Sequence, residues 1–411
     1  MMGDSFWLEE ALQLDWYKTR IKRMLKVETI ALSENERGFL SQTTKYKVHV
    51  LLQNRRKKLI QVIVKVTSDM ENIKTFTQEL DAFRQEIKMY TLLLPEMEVL
   101  MEEFEDTRER LWTDMITYQP YNLIVFKDLT AERFKVEDRR KCLGLEHSLL
   151  VMEGVARFHA MSRILLDRGL FPATDLKKYI SLRPRKDLFN YIWANPLKHV
   201  AKEIKQWGNE WYTIFFPMVD VGTRLFQYVD GLYEKLNDAY EVDERRFNVI
   251  NHGDLWTCNL MFKYGSGSNI DRPIAIRFID FQMSFYNTAA WDLTYFICTS
   301  LVPSYRRKYE RILLVRYVDC FNYNLDLYKY EGARLKLESL ESEMKRLELL
   351  RVLLLSLTYP IMTTDLKAFD WNVAFEGGCG INLALYQGER GAQLRKSIGP
   401  DLKRYLKSRL G

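Results

Sequence analysis

The sequence predicts an α+β protein with a small N-terminal lobe over residues 1–128 and a larger, mainly helical C-terminal lobe over residues 129–411. Strand-like segments rich in Val, Ile and Tyr dominate the first third of the chain, one long helical pattern follows them, and helical patterns prevail after Leu129. Hydrophobic residues make up 47% of the 411 residues, which is enough to bury a large core.

The N-terminal lobe is expected to hold an antiparallel sheet and one long helix. Three strands are expected over Leu25 to Leu32, Thr44 to Leu52 and Leu59 to Thr67. The basic run from Asn54 to Lys58 is expected to form the hairpin turn between the last two strands. From Phe76 to Leu94 apolar residues recur at three- and four-residue steps, which is typical of a helix, and Pro95 is expected to end it. A further strand, from Asn122 to Phe126, completes the lobe.

The C-terminal lobe is expected to contain long helices and one hairpin. Helical patterns cover Leu145 to Asp167, Trp211 to Leu236 and Glu331 to Leu357. Between them, the segment Phe247 to Phe262 is expected to end one strand, form a loop and begin a second strand. A glycine-rich turn joins that second strand to the strand from Ile274 to Ile279. A hairpin of these strands is expected to bring Asp280 beside Asn259.

Asp254 and Asn259 have the spacing of a phosphoryl-transfer loop, because four residues separate them as in the protein-kinase pattern H-R-D-x-x-x-x-N. Gly253 replaces the arginine. Asp254 is predicted to be the catalytic base, and Asn259 and Asp280 are predicted to be metal ligands. Alternatively, the loop is a plain turn and Asp280 caps a strand; the order and context of the motifs together favour the site.

Lys65 and Glu86 are predicted to form an ion pair that helps to bind the nucleotide. Lys65 lies late in a strand, on the face opposite Val64, and Glu86 borders the apolar stripe of the following helix. A kinase site requires such a pair. The alternative is that both residues are solvated surface charges.

Composition narrows the class of protein. The 61 basic and 55 acidic residues give a formal charge of +6, interleaved along the chain, and we expect no nucleic-acid partner. The five scattered cysteines and the acidic N-terminus, which lacks a secretory pattern, favour the cytoplasm. No window reaches the length of a membrane span. Oligomeric state is not predictable from these features.

Four segments of the sequence form a recognisable set. They are His252-Gly253-Asp254-Leu255-Trp256 with Asn259-Leu260-Met261-Phe262, Phe83 to Tyr90, Lys127-Asp128-Leu129, and Ala156 to Ser162. Together they resemble the aminoglycoside phosphotransferase and choline kinase superfamily, and most closely its insect ecdysteroid kinase-like branch.

The resemblance covers nearly the whole chain and implies a two-lobed, protein-kinase-like fold that uses ATP and Mg²⁺. It also implies that Phe126 to Asp128 bind adenine and that Asp292 steadies the catalytic loop, although Asp292 on its own equally suits a helix cap. His159, within an apolar helical pattern, is expected to be a packing residue.

One loop departs from the family pattern. The phosphate-covering loop usually carries a glycine followed by Glu-Asn-Tyr-Ala-Ser, and here it reads Gly38-Phe39-Leu40-Ser41-Gln42. Ser41 is expected to contact the nucleotide, whereas the bulky Phe39 and Leu40 limit close approach of the backbone to phosphate. The departure supports an alternative, a pseudokinase or ligand-binding protein with weak or no catalysis.

The acceptor is expected to be a small molecule with a hydroxyl group, since no A-P-E sequence follows Asp280 and the catalytic-loop arginine is missing. The resemblance implies that the acceptor is an ecdysteroid or another lipophilic alcohol. A further alternative is that the protein is a choline- or ethanolamine-type kinase. An aromatic-rich segment either walls an acceptor pocket or fills the helix core. Its aromatic residues are Trp193, Trp207, Trp211, Phe215, Phe216 and Phe226.

Overall fold

The computed structural model has the predicted α+β fold. It describes residues 6–14, 20–32, 41–120, 122–176, 186–207, 221–267, 270–364 and 368–407. An antiparallel sheet and short helices occupy the N-terminal part of the chain, and helices dominate the rest. The predicted fold class is confirmed.

The N-terminal sheet has five antiparallel strands in the order β1-β2-β3-β5-β4. The strands are β1 (Ile21–Ile30), β2 (Ser41–Leu52), β3 (Lys57–Thr67), β4 (Met115–Gln119) and β5 (Leu123–Lys127). Val48, Val50 and Val62 point to one face and pack with Leu8 and Leu12 of the N-terminal helix Phe6–Leu14. Since side chains alternate along a strand, this packing leaves the intervening residues, including Lys65, on the opposite face.

The prediction of a single long helix that ends before Pro95 is wrong. Two helices, Glu71–Glu79 and Ala82–Lys88, are separated by a bend at Asp81, whose φ is +52°. A π-helical turn, Met89–Leu93, then leads into a third helix, Leu94–Glu103. Pro95 lies in the first turn of that helix, where a missing N–H costs no hydrogen bond, so it continues the helical path and does not end it.

The chain forms two compact units. The first comprises residues 1–137 and 258–283, and the second comprises residues 138–257 and 284–411. Residues 258–283 thus join the N-terminal unit, while the lobe boundary near Leu129 stays a prediction. Five further strands are β6 (Lys135–Val136), β7 (Asn248–Asn251), β8 (Leu260–Tyr264), β9 (Pro273–Phe278) and β10 (Phe285–Thr288).

The predicted hairpin is present in the first unit, where β8 pairs with β9 and Leu260 lies opposite Phe278. Strand β6 adds to the other edge of β8, which gives a three-stranded sheet. In the second unit, β7 and β10 form a separate antiparallel pair. Both pairs flank the predicted catalytic loop in sequence.

Helices build the second unit. The main ones are Leu145–Asp167, Asn195–Lys205, Val221–Val229, Leu232–Tyr240, Ala290–Ser300, Pro303–Leu327, Leu337–Arg346, Glu348–Leu353 and Gly388–Lys407. Shorter helices are Ala173–Leu176, Lys186–Phe189, Tyr359–Met362 and Trp371–Phe375, and π-helical turns cover Asn190–Ala194 and Leu354–Thr358.

Two of the predicted long helices differ from the observed ones. The helix expected from Trp211 lies partly outside the described residues, and its described part breaks at Gly231, where φ is +68°. The helix expected from Glu331 begins six residues later, at Leu337, and is interrupted at Leu347. Within the described ranges, no helix is long and apolar enough to cross a membrane. All five cysteines are free thiols.

Candidate active site

The side chain of Lys65 lies at the centre of a cluster of polar groups in the first unit. Its Nζ is 2.5 Å from Oε2 of Glu86 and 2.7 Å from Oδ1 of Asp280. It also donates to Oε1 of Gln282 over 3.1 Å. An ammonium has three N–H donors, and this arrangement supplies one acceptor for each of them.

Burial and charge together set the ionisation of this cluster. Lys65 is 6% exposed and Glu86 is 1% exposed. Burial opposes the charge on Lys65, but the carboxylates of Asp280 and Glu86 outweigh it and raise the pKa of Lys65 above its ordinary value. Burial raises the pKa of Glu86 to about 7, and Lys65 offsets part of that rise. One cation facing two carboxylates leaves an excess negative charge once Glu86 is ionised.

Gln282 is a member of the cluster that the sequence did not identify. Its side chain accepts from Lys65 and donates from Nε2 to Oδ2 of Asp280 over 3.3 Å. Asp280 itself has a φ of +67°, a left-handed conformation, and a short 3₁₀ turn, Phe281–Met283, follows it. This backbone turns the Gln282 side chain back onto the Asp280 carboxylate. The only signal in the sequence is that glutamine replaces the glycine of the kinase D-F-G pattern.

Aromatic packing holds the helical side of the cluster. Tyr90, one turn after Glu86, packs against Phe126 with 4.9 Å between ring centroids and against Phe281 with 5.7 Å. Phe281 is fully buried. The rings therefore connect strand β5, the π-helical turn and the segment that carries Asp280.

The segment predicted to bind adenine through its backbone, Phe126 to Asp128, lies at the end of strand β5. Phe126 lies inside the sheet, opposite Ile63 on one side and Met115 on the other. The backbone N–H of Asp128 donates to the carbonyl of Gln61 over 3.0 Å. Its buried carboxylate pairs with Lys45 over 2.9 Å and caps the following 3₁₀ turn. In this structure, these groups of Asp128 hold the end of β5.

The phosphate-covering loop is only partly described. Residues Gly38, Phe39 and Leu40 lie outside the described residues. Ser41 begins strand β2 opposite Thr67, and it is half-buried.

The β8–β9 hairpin that the turn chemistry predicts brings the backbone of Asn259 beside that of Ile279, the residue before Asp280. The backbone N–H of Ile279 donates to the carbonyl of Asn259 over 3.1 Å. Asn259 is 6% exposed, and the Asp280 side chain is 22% exposed. The hairpin therefore places an amide side chain and a carboxylate on adjacent rungs, next to the Lys65 cluster.

The side chain of Asp292 holds the backbone of the predicted catalytic loop by hydrogen bonds. The Asp292 carboxylate accepts from the backbone N–H of His252 over 2.6 Å and from that of Gly253 over 2.9 Å. Gly253 has a φ of +86°, which L side chains rarely adopt, so glycine suits the position where kinases have arginine. Asp292 is the buried acid that the resemblance implies, and it does not act as a simple helix cap.

His159 is buried and hydrogen-bonded on both ring nitrogens. Nε2 lies 3.1 Å from Oδ2 of Asp292, and Nδ1 lies 2.9 Å from the hydroxyl of Tyr317. All three side chains are fully buried or nearly so. His159 is therefore a satisfied packing histidine, as expected, and it orients the acid that supports the loop.

The carboxylate of Asp254, in the predicted catalytic loop, receives hydrogen bonds from two aromatic side chains. The indole Nε1 of Trp256 donates to Oδ2 of Asp254 over 3.2 Å. Burial, together with the Asp254 carboxylate, raises the pKa of Tyr295, so its phenol keeps the proton that it donates to Asp254. Tyr295 lies one turn after Asp292 on the same helix. One helix thus supports the loop backbone and contacts its carboxylate.

The aromatic residues proposed to wall an acceptor pocket separate into different environments. Trp207 is largely buried, stacks on Tyr386 and donates to its backbone carbonyl over 2.8 Å, which makes it a core residue. Phe226 is 44% exposed, and Trp193 is half-buried. Trp211, Phe215 and Phe216 lie outside the described residues.

Comparison of the sequence with family models identifies the family. The model of the ecdysteroid kinase-like family matches residues 35–330, which is more than half of the chain. The chain belongs to the ecdysteroid kinase-like family. The match includes all eight residues proposed for the site, from Ser41 to Asp280. No curated protein sequence matches the chain.

The solved structures to which the chain is similar share little sequence with it. Spectinomycin phosphotransferase in complex with ADP and spectinomycin is 10% identical, with 98% of this chain and 94% of that chain covered and a TM-score of 0.36. Glucosamine kinase in complex with glucosamine, ADP and inorganic phosphate is 11% identical, with 86% and 96% covered and a TM-score of 0.34. A second crystal form of glucosamine kinase is 11% identical, with 82% and 91% covered and a TM-score of 0.33. No conclusion about this chain rests on these distant likenesses.

Proposed function

We propose that this ecdysteroid kinase-like protein transfers the γ-phosphoryl group of ATP, with Mg²⁺, to a hydroxyl group of a small molecule. The observation that carries the proposal is the buried contact of Lys65 with Glu86, 2.5 Å, and with Asp280, 2.7 Å. A structural ion pair needs one carboxylate, and a buried lysine between two carboxylates is costly without a further ligand. Phosphoryl-transfer sites use this lysine and these acids to hold nucleotide and metal.

Lys65 is proposed to bind the α- and β-phosphates. Its raised pKa keeps the ammonium charged over the physiological range. Glu86 and the aromatic packing of Tyr90 fix its position, so little side-chain entropy remains to be lost on binding. In this structure the Lys65 ammonium donates to Asp280 and Gln282. When phosphate oxygens approach, they accept those hydrogen bonds from Lys65 instead.

Asp280 and Asn259 are proposed to hold Mg²⁺. Their donor set fits the ion: a carboxylate, an amide oxygen and the excess negative charge beside Lys65 suit a hard cation that also keeps waters and phosphate ligands. Within the described ranges no three acidic, His or Cys side chains are grouped so that they could hold a metal ion, and Mg²⁺ on a nucleotide does not require such a group. When bound, Mg²⁺ supplies charge neutralisation on the phosphates.

Asp254 is proposed to be the general base. Its carboxylate accepts the proton of the acceptor hydroxyl while that oxygen bonds to the γ-phosphorus and the bond to the bridging oxygen of ADP breaks. The hydrogen bonds from Trp256 and Tyr295 hold the carboxylate in one orientation. The proton then leaves Asp254 for solvent, and the products are ADP and a phosphate ester.

The acceptor is proposed to be an ecdysteroid or another lipophilic alcohol, on the basis of family membership. The direct test is transfer of label from γ-labelled ATP to a panel of steroid, terpenoid and amino alcohols, with Asp254→Asn as the control. Formation of an acid-stable phosphate ester by the wild-type protein only is the expected result. No transfer to any acceptor, despite Mg²⁺-dependent ATP binding, would favour a nucleotide-binding pseudokinase.

A further inference from the structure

Eight basic residues lie together at one edge of the N-terminal sheet. The residues are Arg20, Lys22, Arg23 and Lys26 on and before β1, with Arg55, Arg56, Lys57 and Lys58 at the β2–β3 turn, and we call them the basic edge. Residues 20–27 and 51–59 contain no acidic residue. Without these eight charges, the formal charge of the chain would be −2 and not +6.

Strand register brings the two basic segments together. The backbone N–H of Gln53 donates to the carbonyl of Arg20 over 2.9 Å, and Ile21 lies opposite Leu52. On the other side of β2, Leu51 lies opposite Lys57. Two basic segments that are separate in the sequence are therefore adjacent in the fold, and the prediction of a charge spread along the chain is wrong at this edge.

These side chains are exposed and largely free of internal partners. All eight are exposed to solvent. Lys26 pairs with Glu28 over 2.6 Å, and the other seven make no ion pair with any residue in the described ranges. The nearby carboxylate of Glu9 accepts from the backbone N–H of Met24 over 3.0 Å. Eight clustered like charges repel one another, and an anionic surface would relieve that repulsion.

Leucines are interspersed with the charges on the open face of the sheet. One row across the three strands is Arg23, Leu51 and Lys57. The next is Lys26, His49 and Leu59, with Leu25 at a bulge beside it. Leu25 is 39% exposed and Leu59 is 45% exposed. A surface for nucleic acid needs cations alone, whereas cations mixed with exposed leucines suit the interface of a lipid bilayer.

We propose that the basic edge docks this protein on anionic lipid membranes, with the cations on phospholipid head groups and Leu25 and Leu59 entering the interface. The face that carries Lys57 and Leu59 continues along β3 to Lys65, because alternate residues of a strand share a face. Docking would thus bring the Lys65 side of the sheet towards a membrane in which lipophilic alcohols dissolve. Binding to membranes is measurable whether or not the protein transfers phosphate.

The test is flotation of the full chain with vesicles of phosphatidylcholine alone and with roughly 30% phosphatidylserine. We compare wild type with a variant in which Arg55, Arg56, Lys57 and Lys58 are all changed to Gln. A matched control changes Lys198, Lys336, Arg390 and Lys396, which are exposed cations of the second unit, to Gln. Both variants have a formal charge of +2.

Each basic residue near an anionic surface contributes about fivefold to partitioning. Wild type is therefore expected to bind only the anionic vesicles, and the basic-edge variant to lose at least about a hundredfold in partition coefficient. The control should keep most of the binding, and salt should weaken it. Changing Leu25 and Leu59 to Ser should lower binding without altering its salt dependence.

Three results would overturn the proposal: equal binding to neutral and anionic vesicles, an equal loss in the control variant, or tighter binding of duplex DNA than of anionic vesicles. The last would assign the edge to nucleic acid. Circular dichroism melting of each variant separates loss of binding from loss of folding. Absence of kinase activity would contradict the proposed function and leave the vesicle result unaffected.

Discussion

The side-chain amide of Gln282 donates to Oδ2 of Asp280 over 3.3 Å, while its carbonyl oxygen accepts from Lys65 over 3.1 Å. Gln282 is 5% exposed, so both bonds form away from bulk water. Gln282 thus connects Asp280, the proposed metal ligand, to Lys65, which is proposed to bind phosphate. It is thus a positioning residue, because it acts through Asp280 and Lys65.

Changing Gln282 to Met keeps the volume and removes both hydrogen bonds. We expect KM for ATP to rise about tenfold, because one to two hydrogen bonds to charged groups are lost. We also expect the Mg²⁺ concentration needed for half-maximal activity to increase. Gln282→Glu should also raise KM, because a third carboxylate cannot donate to Asp280 and repels it. Steady-state kinetics at varied ATP and Mg²⁺ measure both effects. Unchanged values in both variants would show that Gln282 only fills space.

Glu86 gives the cluster a pH dependence. Its pKa of about 7 lies above the ordinary value of 4.5, so Glu86 gains a proton as pH falls through about 7 and Lys65 loses a charged partner. We expect kcat/KM for ATP to fall below about pH 7 and Glu86→Gln to be slower throughout, without this limb. Because the folded protein binds this proton more tightly, the contribution of Glu86 to stability decreases as pH rises from 4.5 to 7. A pH profile shared by wild type and Glu86→Gln would assign the limb to another group.

Asp254→Asn should abolish phosphoryl transfer and leave ATP binding nearly intact. An amide cannot accept the hydroxyl proton, but it still accepts the hydrogen bond from Trp256. We expect the turnover rate to fall by about a hundredfold or more, which is the usual contribution of a general base. Turnover measured beside ATP binding by calorimetry separates the two effects. Wild-type turnover in this variant would remove Asp254 from the mechanism.

Asp292→Asn should destabilise the loop that carries Asp254. Its carboxylate accepts from two backbone N–H groups and His159 in a buried site, and an amide leaves at least one of these donors unpaired. We expect a loss on the order of 3 kcal/mol in the free energy of unfolding. Asp370→Asn is a matched control, because the exposed Asp370 also accepts from two backbone N–H groups and Asn caps helices well. Equal losses in urea unfolding of the two variants would contradict a special role for Asp292.

The sequence predicts the ion pair of Lys65 and Glu86 better than it predicts the helices around it. Lys65, Glu86 and Asp280 meet because strand alternation, helix period and turn chemistry are local rules that hold here. The bend at Asp81 is not predictable, since a single residue in the left-handed region leaves the apolar periodicity almost unchanged.

Other features depend on partners that are far apart in the chain. The role of Gln282 requires Lys65, 217 positions away. The carboxylate of Asp128, in the segment predicted to bind adenine through its backbone, pairs with Lys45 on a distant strand. The basic edge likewise forms only when register brings residues 20–26 beside residues 55–58. Periodicity within one segment contains none of this information.

The central claim, that Lys65 and Asp280 hold a Mg²⁺-nucleotide, is tested most directly by thermal unfolding with millimolar ATP, with and without Mg²⁺. Ligand that binds only the native state raises Tm by mass action. We predict a rise in Tm for wild type that requires Mg²⁺, is lost in Asp280→Ala and is retained in the remote control Asp271→Ala. A rise of the same size without Mg²⁺, or in Asp280→Ala, would contradict the assignment of Asp280 as the metal ligand, and no rise at all would contradict the nucleotide site.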